Sequence, residues 1–412
     1  MKRNKFFIFF IGFLLSQRYG DFIGQIYLGE LLSFFYLLFN FNKLIYSDFE
    51  KKLIKISLIV TLVQLTSNFY NNVNLIDSVK GFFHLIVFFS AIICMNKYLK
   101  YLKDFELIKI LYIGTIAGGL FLETQYSPYI AGNPWKWGVG SSLINLIMII
   151  YFLEKKNFSK VAFFTLSLVV IFLSIKYNAR SLLAIYLASI IFYFIFSSWK
   201  NIFFKKIKNY AIIFIPVFYI LILSLGAVVY DGYSNLFLSP SLAEVKKNEM
   251  QNQGDLGVIV GARGEFIASY YAFVDRPWLG HGSYAKDIGG FYQKKRDYVL
   301  LKYNYFRKLP RESKYQATTM IPGHSMLMDN VIRSGVIALF FWVFLTNYIM
   351  KNFIDYSKYF SLFFYYQIIN YCHQLFFSPW GGGPRWGLAV LIALLIASCA
   401  ELEKKYIQKN NL

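Results

Sequence analysis

The chain has 412 residues, of which 57% are hydrophobic, 20% aromatic and only 16% charged. A soluble domain carries roughly 25–35% charged residues on its surface, so a water-soluble fold is excluded and a polytopic membrane protein remains. The net charge of +21 reads as an orientation signal and as contact with anionic lipid, since nucleic-acid binding needs a basic soluble domain.

Apolar runs of bilayer-crossing length predict an all-α protein with about twelve transmembrane helices. In chain order they fall at residues 6–15, 22–41, 53–67, 79–95, 107–122, 138–153, 161–175, 182–198, 211–229, 326–349, 360–377 and 386–400. The first run is short and follows Lys2, Arg3 and Lys5, as a secretory signal would. Ser16-Gln17-Arg18-Tyr19-Gly20 has no small-x-small cleavage pattern, however, so the run is read as a retained span.

Lysine and arginine near span ends are kept in the cytoplasm. With the amino terminus inside, so are the connectors bearing Lys51 and Lys55, Lys97 and Lys100, Lys155 and Lys156, Lys205 and Lys206, Lys351 and Lys358, and the tail with Lys404 and Lys405. The opposite short connectors hold only Arg18, Lys80, Lys136, Lys176, Arg180 and Arg385. Both termini are therefore expected in the cytoplasm, and the chain reads as a single membrane domain over 1–412. Cys94, Cys372 and Cys399 lie in or beside apolar runs and are expected to be packing residues.

One connector, residues 231–323, is about ninety residues long, and a loop of that length is usually functional. It is expected on the external side. Residues 242–250 have the polar pattern of a surface helix, and 263–274 predict a helix with Phe266, Tyr270, Phe273 and Val274 on one apolar stripe. The turn Pro277-Trp278-Leu279-Gly280-His281-Gly282 ends that helix. Residues 294–314 alternate basic and aromatic side chains, the pattern of a mobile lid or an interfacial segment.

Three arginines are expected at the outer face: Arg180 at the start of a span, Arg263 heading the loop helix, and Arg385 beginning the last span. The guanidinium fork holds phosphate oxygens two at a time. Arg180 stands against the charge rule, and Arg263 lies between glycines at a helix start, where a positive charge needs a nearby anion. Arg385, between Trp380 and Trp386, also fits a headgroup anchor in an aromatic belt. His324, at the external mouth of a span, is the candidate for proton transfer, with span capping as its structural alternative. His281 is a candidate glycan contact or only a turn residue. His84 and His373 read as packing or groove residues. No His, Asp and Cys spacing suits a metal, and no P-loop, dinucleotide fingerprint or Asp-x-Asp pair appears, so no cofactor is expected.

In order along the chain stand Asn178-Ala179-Arg180-Ser181, Gly261-Ala262-Arg263-Gly264, Asp275-Arg276-Pro277-Trp278-Leu279-Gly280-His281-Gly282 and Gly323-His324-Ser325 leading into Val331-Ile332-Arg333. This series resembles the O-antigen polymerase and O-antigen ligase superfamily, over the second half of the chain by motif and the whole by topology. The chain departs from that family at Ser325-Met326, where an asparagine is frequent, and at Phe266, where a tryptophan is. The resemblance implies a metal-independent glycosyltransferase of the bacterial cytoplasmic membrane, acting at its outer face on undecaprenyl-pyrophosphate-linked oligosaccharide. It implies that Arg180 and Arg263 clamp the pyrophosphate and that His324 serves the attacking hydroxyl. A polymerase of repeat units, working with a chain-length regulator, is favoured over a ligase that passes finished polymer to a lipid A core. A flippase is the distant alternative, because transport needs no such insertion.

Overall fold

The computed structural model describes residues 5–20, 25–102, 105–126, 133–153, 160–198, 210, 215–217, 219–221, 254–255, 260–261, 263–305, 315, 319–356, 360–378 and 380–410. α1 Lys5–Leu15 passes through the antiparallel pair β1 Arg18–Gly20 and β2 Ile26–Tyr27 into α2 Leu28–Asn40, followed by α3 Asp48–Tyr70, α4 Leu75–Leu102 and α5 Phe105–Tyr126. A π-helical stretch at Trp135–Val139 runs into α6 Gly140–Leu153, then α7 Lys160–Lys176 and α8 Arg180–Ser198. The second half contains α9 Glu265–Asp275, β3 Lys286–Asp287, α10 Phe291–Lys302, β4 Thr319–Met320, α11 Met326–Tyr356, α12 Leu362–Phe377 and α13 Gly382–Asn410.

A helix lies over each predicted span except 211–229, most of which falls outside the described residues. Among the described residues four helices are long and apolar enough to cross a membrane: α3, α4, α11 and the part of α13 at Gly383–Ala400. Helices α1, α6, α7 and α8 are apolar but have shorter qualifying stretches.

Helix α3 shows the solvent for which the bundle is built. Its buried face carries Ser57, Thr61, Gln64 and Asn68, spaced by four, three and four residues, while Leu58, Leu62, Leu65 and Phe69 face outward at the same spacing, Phe69 being 88% exposed. Both stripes follow the helical period with polarity reversed relative to a soluble protein. An apolar exterior of this kind belongs in lipid, while in the polar interior stripe Ser57 and Thr61 bond to carbonyls of their own helix and Gln64 and Asn68 reach Ser283. At its start Ser47 and Glu50 form a capping box. The same Glu50 carboxylate accepts from Asn96 Nδ2 at 2.8 Å and Lys97 Nζ at 3.2 Å, tying the first turn of α3 to the last turns of α4.

Small residues let helices approach closely, as membrane packing requires. A Cβ at Gly12 of α1 would strike the Leu111 carbonyl of α5, and one at Gly114 of α5 would strike that of Phe9. Helix α12 is buried nearly all round, and one core cluster joins it to α4, α8, α11 and α13.

The described part of the large insertion is a small folded cap, with α9 packed between α10 and α11 and β3 paired with β4. Two expectations change here. The inward face of α9 is Ala268, Ser269 and Ala272, while Tyr270 and Val274 are 58% and 53% exposed. Close packing selects the small side chains, with Gly264 before them leaving room for Leu300. Residues 294–302, predicted as a lid or interfacial segment, belong to α10, held by buried Asp297, which accepts from Arg296 Nε at 2.7 Å and Tyr315 Oη at 2.9 Å. The helix predicted at 242–250 lies outside the described residues, as do 306–314.

The cap is locked to α11 where that helix breaks. Gly335 adopts φ 63 and ψ −153 within α11, a conformation essentially restricted to glycine. The interrupted backbone groups find partners in the Pro277–Gly282 turn. His281 N donates to Ile332 O at 2.6 Å, Gly282 N to Arg333 O at 3.1 Å, and Val336 N to Pro277 O at 2.7 Å. The turn is held from its other side by α3, where Gln64 Nε2 donates to Ser283 Oγ at 2.6 Å and Ser283 N donates to Asn68 Oδ1 at 2.7 Å. A break in a candidate spanning helix is thus filled by protein backbone.

Candidate functional site

The carboxyl end of α12 packs against one of the arginines singled out above. Arg263, two residues before α9, lies with its guanidinium 5.7 Å from the centroid of the Phe377 ring. Phe266 meets the same ring edge-on at 6.1 Å, and His373, one turn back on α12, lies 5.4 Å from it. Tyr219 closes the group, its hydroxyl 2.8 Å from His373 Nδ1. Burial pulls the Arg263 pKa below its usual value, opposed by Glu265 and Tyr219. Among the described residues its guanidinium has no hydrogen-bond acceptor. A half-buried guanidinium held only by an aromatic face and a neighbouring carboxylate is stabilised further by any anion that reaches it.

His324 reaches the same end through short contacts. Ser269 of α9 donates to Pro322 O at 2.7 Å, and Ser325 Oγ donates to Leu375 O at 2.9 Å, so the two residues flanking Gly323-His324 are pinned to α9 and α12. Gly323 leaves room there for the Asp329 carboxylate, which a Cβ would displace. His324 has φ +44, a left-handed backbone that histidine rarely adopts, and its side chain is exposed. The strained turn projects the imidazole outward from the start of α11.

Arg180 belongs at this end by register. Tyr193 and Phe196 of α8 meet Tyr365 of α12, with ring centroids at 5.5 and 6.2 Å. Back from Tyr193 to Arg180, and forward from Tyr365 to Phe377, the two antiparallel helices rise by nearly the same length, about 18–20 Å. Arg180 thus starts α8 level with the Phe377 ring, its Nε donating to Asn178 Oδ1 at 3.2 Å.

Arg385 and His281 are occupied differently. Arg385 is fully buried, and its guanidinium makes a two-pronged pair with Glu30 of α2, Nε to Oε1 at 2.6 Å and Nη2 to Oε2 at 2.8 Å. Nη2 also donates to Gln25 O at 2.8 Å, so this arginine fastens the start of α13 to that of α2. The ring of His281 lies 2.8 Å from Ala272 O through Nε2 and 3.4 Å from the Tyr292 hydroxyl, fixing the turn to the end of α9.

Sequence reasoning passed over Tyr219 and Arg333. Arg333 lies 5.1 Å above the Tyr284 ring, and the Tyr284 hydroxyl is 3.3 Å from His84 Nδ1, forming a second polar group beside the α11 break. A signal for the missed contacts existed: Glu30 in an apolar run, and His373 between Cys372 and Gln374, are polar intrusions that need partners in a membrane protein. Among the described residues no group of three His, Cys, Asp or Glu side chains is placed to hold a metal. Comparison with family models, curated proteins and solved structures finds no match to this chain.

Proposed function

We propose that this chain is a membrane glycosyltransferase that polymerises lipid-linked oligosaccharide repeat units, with the carboxyl end of α12 as its active site. The observation that carries the reading is the half-buried Arg263 guanidinium, without a hydrogen-bond acceptor among the described residues, at the end of an apolar helical bundle where the His324 turn is tied to α12 and Arg180 begins its helix. Two fork-shaped cations at a lipid interface suit a polyprenyl pyrophosphate, whose charge grows as its bond to the sugar breaks. The acceptor hydroxyl attacks the anomeric carbon, the carbon–oxygen bond to the diphosphate breaks, and the hydroxyl proton passes to His324. Tyr219 and His373 back the arginine from within the bundle. In this reading the insertion lies outside the cytoplasmic membrane, both termini lie inside, and the helices supply about twelve crossings.

A ligase that transfers finished polymer to a lipid A core shares the donor chemistry and is the second reading. The surface glycan of a strain lacking the gene separates them. Loss of the polymerase leaves one repeat unit on the core, whereas loss of the ligase leaves none and lets long polymer accumulate on the carrier. An unchanged glycan would contradict both.

A further inference from the structure

At the opposite end of the bundle from Arg263 lies a cavity of about 400 Å³. It lies where the four candidate spanning helices meet: Lys52 of α3, Lys100 of α4, Phe344 and Tyr348 of α11, and Ile396 of α13 line it. Its lining combines two lysines with aromatic and aliphatic side chains. The neighbouring lysines are already engaged, Lys97 with Glu50 at 3.2 Å and Lys51 with Asp48 at 3.9 Å. Lys52 and Lys100 make no salt bridge among the described residues, Lys100 acting on Glu50 only at longer range, and both are exposed.

We propose that this cavity binds one anionic phospholipid of the adjacent leaflet, its phosphate between Lys52 and Lys100 and an acyl chain against Phe344, Tyr348 and Ile396. Charge complementarity selects the headgroup, since a basic side chain near an anionic leaflet gains from it, and the apolar wall selects a lipid over a free anion. Asp48 also borders the cavity, but its side chain is 94% exposed and directed to Lys51. The site is independent of the glycosyltransferase reading.

Native mass spectrometry of the full chain tests the proposal, using detergent micelles doped with equal phosphatidylglycerol and phosphatidylcholine. The wild type should retain one phosphatidylglycerol at least about tenfold over phosphatidylcholine, and K52Q/K100Q should lose that preference. Ile396→Trp, which fills the apolar wall and leaves both lysines, should lower retention of either lipid. Millimolar inorganic phosphate should not displace the bound lipid. Equal retention of the two lipids, an unchanged preference in the double variant, or displacement by phosphate alone would each overturn the assignment.

Discussion

Arg385 and Arg263 show how differently one side chain is used at the same end of the molecule. Arg385 is spent on Glu30, so removing it alone strands a buried carboxylate. Arg385→Met should lower unfolding stability by about 3–5 kcal/mol, and Glu30→Met in the same chain should recover most of that. Thermal unfolding in detergent checks both; an equally unstable double variant would mean that the pair is not what holds α2 to α13. The sequence made the three arginines visible as charges at span ends, but not that Arg385 was taken. Its partner is 355 positions away, and only the packing of α13 beside α2 brings them together. His281 is a further case. Burial lowers its pKa, opposed by its bond to Ala272 and by Asp275, so the folded cap favours neutral imidazole. Above the ordinary value of 6.5 both states are neutral and the cap has its full stability. As pH falls below that value the unfolded state takes the proton first, and stability is lost down to the lowered folded value. The protection of α9 amides, taken as the observed exchange rate relative to the intrinsic rate at each pH, should therefore fall from pH 7 to pH 5, and His281→Gln should flatten the dependence. A protection factor unchanged with pH in the wild type would contradict this.

Among the elements, the broken α11 is the one on which the site depends. Gly335 needs a backbone that only glycine adopts readily, and a Cβ there would strike Trp278 O. Gly335→Ala should cost about 3 kcal/mol or more and release the turn, because strain and clash add. Thermal unfolding reads the cost, and protease sensitivity at the exposed Trp278 reads the release. Wild-type values in both would show that α11 tolerates a continuous path. The helices over the apolar runs were legible because such runs declare themselves without reference to neighbours, and four of those helices are long and apolar enough to cross a membrane. The inward face of α9 was not. An apolar stripe predicts burial only where apolar faces turn inward, and here Tyr270 and Val274 remain outside while Ala268 and Ala272 make the close contact. Residues 294–302 were misread for a related reason: their charges suggested an interface, but Asp297 turns inward to Arg296 and Tyr315 and makes the segment a packed helix.

At the scale of the whole molecule, the reversed polarity of α3 and the four long apolar helices make this a membrane protein. The proposed sidedness predicts that a cysteine at exposed Lys286, beside β4, is labelled from outside intact spheroplasts, while one at Lys51 is labelled only after lysis. Labelling of Lys51→Cys in intact cells would reverse the topology. The central claim is that the end of α12 performs glycosyl transfer, and the direct measurement is polymer formed per inserted molecule by purified protein given lipid-linked repeat units. Wild type should form polymer without added metal. Arg263→Ala should reduce turnover by about 10²–10³-fold, with lysine rescuing poorly, and His324→Ala by about 10²–10⁴-fold with donor binding retained. Wild-type turnover in folded, inserted Arg263→Ala and His324→Ala would contradict the account.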